Sequence, residues 1–163
     1  MRTFFAALIL FFAGCGYKPM GDYTPKLLGE CVYVKVHGNL RDPRNTIYIN
    51  NAVREAVLER FGSRLCDRER ASSRIDVRIK DIRFTPMEYD TYGYAVYYRT
   101  TTTLEFVYQK DGQTKKMITG GFYDFAVERN SVITDTLRFE AIKEGAKKAI
   151  DHFLARLFYE GAA

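Results

Sequence analysis

The alternation of side chains between Tyr94 and Tyr108 constrains the fold more than any other feature of the chain. The apolar positions share one side of this stretch: Tyr94, Val96, Tyr98, Leu104, Phe106 and Tyr108. Polar residues take the other side: Arg99, Thr101, Thr103 and Glu105. Since successive side chains of a strand point to opposite faces, the pattern predicts a long strand with one buried face. Asp111-Gly112 follows and is typical of a tight hairpin turn.

Three further stretches predict strands. Valine alternates with polar residues over 32–36. A second strand is expected over 74–84, where the alternation slips at Lys80-Asp81 and indicates a bulge or an end to pairing. The last strand, over 115–127, contains Gly120-Gly121, which indicates a bulge or a close approach of another backbone.

The first predicted helix begins near Asn50 or Asn51, because asparagine caps helices well. Its apolar face consists of Ile49, Val53, Ala56, Val57 and Phe61, with charged residues mostly opposite. A loop over 39–45 and a strand-like stretch over 46–49 precede it, and Gly62 indicates its end.

The second predicted helix is capped within 131–135 and runs to about Phe158. Its buried stripe is expected to be Ile142, Ala146, Ala149, Ile150, Phe153 and Leu157. Its outward side is expected to be Lys143, Glu144, Lys147 and Lys148. Residues 86–93 are predicted to form a turn between the second and third strands.

The predicted element order is therefore β-α-β-β-β-α. A βαβ crossover makes the first two strands parallel, and hairpins make the later strands antiparallel. The fold class is α+β, a two-layer sandwich in which two helices cover one face of a four-stranded mixed sheet. One domain spans residues 31–160, and the other face of the sheet is left uncovered.

The N-terminus predicts secretion and a lipid anchor. Arg2 precedes an apolar run of roughly 10 residues, too short for the ~20 that span a bilayer, and small residues precede Cys15. Residues 1–14 are interpreted as a lipoprotein signal peptide, and Cys15 as the site of lipid attachment. An ordinary secretory signal with a chance cysteine is the alternative. Residues 15–30 contain proline and glycine and are interpreted as an extended tether.

Cys31 and Cys66 remain in the mature chain, in a compartment that is expected to be oxidising. A helix that runs back along the preceding strand ends near the start of that strand, so the topology brings the two cysteines together. The residues leave two alternatives open, a disulfide or two unconnected half-buried thiols. Their spacing fits no metal site, and His37 and His152 are isolated in the sequence.

Charge and motifs argue against several function classes. The net charge is +5, yet no basic run is long enough to indicate nucleic-acid binding. No nucleophile–base set, phosphate-binding loop or metal-ligand cluster is recognisable, so neither an enzyme nor a cofactor beyond the lipid on Cys15 is predicted.

Two candidate binding surfaces follow from the predicted strands. The polar side of the third strand is either a solvated sheet face or an interface with a polar wall: Tyr97, Arg99, Thr101 and Thr103. The hairpin after it carries lysines that are either solvated or contact anionic lipid A phosphates: Lys110, Lys115 and Lys116.

Cys15 is followed by Gly16-Tyr17-Lys18-Pro19. The mature chain would therefore begin with Cys-Gly-Tyr, which is similar to the start of many members of the LptE family. The chain resembles that family of lipopolysaccharide-assembly lipoproteins of Gram-negative outer membranes, and the predicted order of elements agrees with its fold. Segments 89–94 and 131–135 are similar to the divergent branch of epsilon-class bacteria. The resemblance implies a non-enzymatic protein of the outer membrane, on its periplasmic side and in a barrel lumen. It implies that the protein plugs and helps assemble an LptD β-barrel and binds lipopolysaccharide in transit.

Two other lipoprotein roles remain as alternatives, an accessory subunit of a lipid-transport ABC system and an outer-membrane activator of a peptidoglycan synthase. The activator requires a long tether across the periplasm. Only about 15 residues separate Cys15 from Val32, and they span at most about 50 Å.

Overall fold

The computed structural model describes residues 28–38, 43–128 and 132–161. The elements are β1 (Val32–His37), α1 (Pro43–Phe61), a 3₁₀ turn (Gly62–Arg64), β2 (Ser73–Tyr89), β3 (Ala95–Lys110), β4 (Gln113–Ala126) and α2 (Asp135–Gly161). The predicted order β-α-β-β-β-α and the α+β class are confirmed. None of the helices in these described ranges combines the length and the apolar composition that a membrane span requires.

The four strands form one sheet in the order β1-β2-β3-β4. β1 runs parallel to β2, and the two following pairs are antiparallel. Both helices pack on the same face, where the predicted apolar side of β3 is buried. Phe106 of β3 stacks on Phe153 of α2 with ring centroids 4.3 Å apart. The predicted stripe of α2, from Ile142 to Leu157, is buried throughout.

The irregularity predicted at Lys80-Asp81 is present. The β2–β3 register shifts between Ile79 and Asp81, so Lys80 is an extra residue and the later residues of β2 change parity. At Gly120-Gly121 the β3–β4 register is continuous, so there is no bulge. The alternative prediction, a close approach of another backbone, is the correct one, because α2 lies directly against Gly121.

The predicted start of the first helix was wrong. α1 begins at Pro43, within the predicted loop, and includes the stretch predicted as strand-like. Proline is well tolerated in the first turn of a helix, where its missing N–H has no intrahelical partner to lose.

The predicted turn over 86–93 is also shorter than expected, because β2 continues through Pro86 to Tyr89, with a register shift beside the proline.

The outward position predicted for Lys143 was wrong. Its side chain is buried between α1 and α2, with its ammonium 3.1 Å from Glu55 and 3.0 Å from Glu140. Lys147 pairs with Glu59 of α1 in the same seam. The residues opposite the apolar face of α1 therefore meet the lysines of α2. Hydrogen bonds to these carboxylates raise the pKa of Lys143, with Glu140 the largest contributor.

The N-terminal margin of the domain is closed by a disulfide. Cys31 and Cys66 are joined, with their Cα atoms 5.8 Å apart, and Cys66 N–H donates to the carbonyl of Val32. Leu28, placed in the tether by the sequence prediction, is buried in the core, and the hydroxyl of Ser73 donates to its carbonyl at 2.6 Å. The lipid-attachment prediction for Cys15 and the tether before Leu28 lie outside the described residues.

Candidate functional site

None of the described residues forms an element that covers the face of the sheet opposite the helices, and we call this face the open face. The register places the odd-numbered residues of β3 on it, next to the even-numbered residues of β4. The candidate interface residues lie there: Tyr97, Arg99, Thr101 and Thr103. Thr100 and Thr102 point the other way and are fully buried against the helix layer. Only half of the threonine run is therefore available on the open face.

Glu105 lies at the centre of a charged group on the open face, although its side chain is only 3% exposed. Three cations surround its carboxylate: Lys116 at 2.9 Å, Arg78 at 3.2 Å and Lys80 at 3.6 Å. We call these four residues the Glu105 cluster. Each cation is about half exposed, so the cations cover the carboxylate while their outer sides face solvent.

The electrostatics of the Glu105 cluster favour a bound anion. The hydrogen bond from Lys116 is the main cause that lowers the pKa of Glu105, against the opposing effect of burial. Glu105 is therefore ionised at neutral pH. Three cations around one carboxylate leave an excess of positive charge on the outside of the cluster. The carboxylate also holds flexible side chains from two strands, β2 and β4, in one place, which reduces the entropy lost when an anion binds.

A second charged group lies beside the cluster on the same face. The Asp76 carboxylate accepts from Arg74 at 3.0 Å and lies 2.8 Å from the Nε2 atom of His37. Burial by itself would raise the pKa of Asp76, but the hydrogen bonds to His37 and Arg74 outweigh it and lower the pKa. The charge of Arg74 is thereby largely neutralised by Asp76. The three cations of the neighbouring Glu105 cluster have only one carboxylate between them, so their charge is only partly neutralised.

The β4 margin of the open face is partly apolar. Ile118 and Phe122 are about half exposed, and the Arg99 guanidinium lies over the Phe122 ring, 4.4 Å from its centroid. Arg99 also donates two hydrogen bonds to Asp124, at 2.7 and 2.6 Å. Of the candidate interface residues, Arg99 is therefore already engaged within the sheet. Cations and exposed apolar side chains lie on the same face.

Residues 32–157 match the model of a protein family, and that family is LptE, described as lipopolysaccharide-assembly. The match covers most of the chain. The chain belongs to the LptE family. No curated protein sequence matches it. Its role accordingly lies in lipopolysaccharide assembly.

Solved structures share the fold of this LptE chain. The rare lipoprotein B of Shewanella oneidensis aligns with a TM-score of 0.51 and 12% identity, over 80% of this chain and 96% of that one. A Caulobacter crescentus CB15 protein named as a lipoprotein aligns with a TM-score of 0.50 and 12% identity, over 80% of this chain and 90% of that one. At such low identity the likeness concerns the fold alone.

The lysines predicted for lipopolysaccharide binding do not share one surface of this LptE protein. Lys116 belongs to the Glu105 cluster on the open face. Lys115 lies on the helix side, opposite Tyr108, and its ammonium is 3.6 Å from Glu160 of α2. Lys110 is at the hairpin, where it lines an open groove together with Arg68 and Arg74. The prediction of one lysine group at the hairpin tip is therefore not supported by their placement.

Sequence reasoning missed Arg78, Lys80 and Glu105 as members of the LptE site. The sequence does contain the information that places Lys116 beside Glu105. The Asp111-Gly112 turn pairs Lys110 with Gln113, and counting back along the hairpin places Lys116 beside Glu105 on one face. The placement of Arg78 and Lys80 of β2 beside Glu105 could not be predicted, because the bulge at Lys80 changes the parity of that strand. Within the described residues no group of histidine, cysteine or carboxylate side chains could hold a metal ion.

Proposed function

We propose that the protein is an outer-membrane lipoprotein that sits in an LptD-like β-barrel, helps that barrel assemble, and binds lipopolysaccharide on its way to the cell surface. LptE family membership supports the assembly role. The N-terminal sequence up to Cys15 supports a covalent lipid anchor on the periplasmic side of the membrane. The observation that carries the binding step is the Glu105 cluster.

The Glu105 cluster suits the phosphates of lipid A. Charge-assisted hydrogen bonds from lysine and arginine to phosphate are short and strong. Arg78 and Lys80 on β2 and Lys116 on β4 supply such donors from the two strands that flank β3, with their outer sides in solvent. The exposed apolar residues of β4, Ile118 and Phe122, offer contact area for acyl chains on the same face. An amphipathic ligand thus meets both kinds of surface that it requires.

The remaining part of the open face suits a barrel wall. The lumen of an outer-membrane barrel is polar and water-filled, so a plug needs neutral polar and aromatic side chains toward it. Tyr97, Thr101 and Thr103 provide them on β3, and neither of the two described helices lies on this side of the sheet. Tyrosine adds contact area together with a hydroxyl that can bond to polar partners.

Purification of the lipoprotein from membranes in mild detergent tests the barrel part. We expect a stoichiometric large β-barrel protein to accompany it. An intact lipoprotein that reproducibly lacks the barrel would contradict the plug role. A co-purifying ABC transporter or peptidoglycan synthase would instead support one of the alternative roles. Replacement of Cys15 by alanine should release the protein from membranes.

A pair of single substitutions tests the lipopolysaccharide part. Lys116→Gln removes a cation from the Glu105 cluster and should weaken lipopolysaccharide binding about threefold to tenfold, the effect of losing about 1 kcal/mol from a solvent-exposed ion pair. Lys115→Gln makes the same change one residue away, on the helix side, and should leave binding unchanged. Equal effects of the two variants, or no effect of either, would contradict binding at this cluster.

A further inference from the structure

The chain that leads to Cys15 leaves the described domain at a fixed point, which is Leu28. The Leu28 side chain is only 1% exposed, and its carbonyl oxygen accepts a hydrogen bond of 2.6 Å from the hydroxyl of Ser73. The next residue, Gly29, lies so close to Ser72 that a Cβ atom on it would overlap the Ser72 side chain. The exit point of the chain is therefore held against Ser72 and Ser73.

A groove of about 460 Å³ lies beside this exit point, and Ser72 and Ser73 form part of its wall. We call it the exit groove. The Arg74 guanidinium lies over the ring of Tyr33, 5.7 Å from its centroid, so an aromatic ring and a cation share this wall. The charged residues that line the exit groove are three cations and one carboxylate: Arg68, Arg74, Lys110 and Asp111.

The two halves of the sheet and its turns carry opposite net charges. The bulge at Lys80 divides them, and the half with the exit groove comprises residues 32–37, 65–80 and 104–119. This basic half has nine lysines and arginines against five carboxylates. The acidic half, residues 81–103 and 120–128, has two arginines against five carboxylates. The chain therefore leaves the domain at the positive end of the sheet, where the field attracts anions.

The length of the chain before Leu28 places the exit groove within reach of a membrane. The segment from Cys15 to Leu28 spans at most about 45 Å when it is fully extended. The β2–β3 hairpin lies at the other end of β2, on the order of 50 Å from Ser73. A segment of that length permits several orientations of the domain, so the charge of the sheet decides which end faces the lipids.

We propose that the exit groove docks on anionic phospholipid headgroups of the leaflet that holds the lipid on Cys15. The β2–β3 hairpin then points away from this membrane, because the acidic half of the sheet is repelled by the same headgroups. Lipid phosphates accept charge-assisted hydrogen bonds from Arg68 and Lys110, and each such cation near an anionic surface favours docking about fivefold. The orientation concerns the anchored protein before a partner binds. It rests on the lipid anchor of the proposed function, and not on the barrel or on lipopolysaccharide binding.

Fluorescence quenching tests the proposal with the full-length, lipid-anchored protein in vesicles. Cys31 and Cys66 form a disulfide and Cys15 carries the lipid, so a newly introduced cysteine is the only free thiol for a label. One label is attached through Gln113→Cys in the wall of the exit groove, and the other through Thr91→Cys in the opposite hairpin. The vesicles contain phosphatidylcholine with nitroxide headgroups, either alone or with phosphatidylglycerol.

We expect the label at position 113 to be quenched several-fold more than the label at position 91, and only when phosphatidylglycerol is present. The difference should disappear in about 1 M salt, where the Debye length is about 3 Å. The double variant Arg68→Gln with Lys110→Gln should lower the docked-to-undocked ratio at least tenfold. Arg54→Gln, at an exposed arginine of α1, should leave the ratio unchanged.

The proposal is overturned if both labels are quenched equally, if quenching does not depend on phosphatidylglycerol, or if Arg54→Gln has the effect of the double variant. The double variant should bind lipopolysaccharide as the wild type does, because its Glu105 cluster is intact. Loss of that binding would assign the exit groove to lipopolysaccharide and overturn the proposal. Protein that fails to float with the vesicles contradicts the lipid anchor as well, whereas anchored protein without charge-dependent quenching contradicts the orientation alone.

Discussion

Gly121 of β4 and Gly145 of α2 bring the backbones of strand and helix into direct contact. A Cβ atom at Gly121 would overlap the carbonyl oxygen of Gly145 and lie 2.7 Å from the Cβ atom of Lys148. A Cβ atom at Gly145 would in turn lie 2.7 Å from the Thr102 hydroxyl oxygen. Backbone atoms cannot move aside as side chains do, so α2 packs against β4 only because Gly121 lacks a side chain, while Gly145 leaves room for the Thr102 side chain of β3.

Gly121→Ala should therefore destabilise the domain by about 3 kcal/mol, the upper range for overpacking a tight contact. Gly120→Ala is the matched control. Its Cβ atom would lie 3.8 Å from the nearest atoms, so alanine fits, and stability should be unchanged or slightly raised. Urea unfolding followed by circular dichroism measures both. Equal stability of the two variants would show that the helix does not rest on Gly121.

The sequence indicated a special role for the glycine pair but could not distinguish its members. A glycine in a strand indicates a bulge, a bend or a close approach, and the choice depends on what packs against it. Here the decisive neighbour is α2, more than 20 residues later in the chain. The strand periodicity of β3 and the stripe of α2 were predictable, because both are local patterns. How the strands and α2 pack against each other depends on tertiary contacts, which local patterns do not specify.

Thr100 provides a second stability test. Its hydroxyl is fully buried against the helix layer and has no hydrogen-bond partner among the described residues. A buried polar group without a partner costs about 1–3 kcal/mol, and valine has nearly the same shape and favours strands. Thr100→Val should therefore raise the free energy of unfolding by about 1 kcal/mol, as measured by urea unfolding.

Thr119→Val is the control for that substitution. The Thr119 hydroxyl donates to the carbonyl of Ala149 at 2.6 Å and links β4 to α2. Loss of this hydrogen bond should lower stability by about 1 kcal/mol, the reverse of the effect at Thr100. If both variants shift stability in the same direction, intrinsic strand preference and not hydroxyl pairing governs these positions.

The Glu105 cluster predicts a specific pH dependence. The pKa of Glu105 is lowered from its ordinary value of 4.5 by the hydrogen bond from Lys116, with Arg78 and Lys80 adding to the effect. A lowered folded-state pKa contributes stability that is present above the unfolded-state value. It is lost as the pH falls through the folded-state value. The contribution is therefore complete at neutral pH, begins to decline below about pH 4.5, and is gone once the pH is below the folded-state value.

Glu105→Gln should consequently lower the melting temperature at neutral pH, because three cations lose their shared counter-ion. The difference between wild type and variant should narrow as the pH falls below about 4.5. Melting curves recorded by circular dichroism across this range measure it. A difference that stays constant down to about pH 2.5 would show that Glu105 contributes by packing and not by charge.

The candidate site, like the packing of α2 on Gly121, was only partly predictable from the sequence, because part of it depends on tertiary contacts. Strand parity correctly assigned Tyr97, Arg99, Thr101 and Thr103 to one face, since that assignment needs only the local alternation. The lysine prediction treated Lys115 and Lys116 as a group, although adjacent residues of a strand lie on opposite faces. The partners on β2 depend on the register between β2 and β3, and the bulge at Lys80 shifts that register.

The position of the disulfide indicates which part of the domain has the lowest local stability. Cys31 and Cys66 close a loop with a sequence separation of 35, and they tie the start of β1 to the segment that follows α1. Loop closure of this length stabilises a domain by about 4 kcal/mol in the chain-entropy model. β1 is a short edge strand, and in the described part of the chain its pairing consists of the ladder to β2 and one bridge from Val32 to Leu65, beside the disulfide.

Replacement of both Cys31 and Cys66 by serine should lower the free energy of unfolding by about 4 kcal/mol and remove any response to reductant. Hydrogen exchange should accelerate first at the amides of β1, while β3 and β4, which share the Phe106–Phe153 contact layer with α2, stay protected. Treatment of the wild-type protein with a reductant should give the same pattern of exchange. Uniform acceleration over all four strands would contradict a local role, because it would mean that the disulfide stabilises the sheet as one cooperative unit.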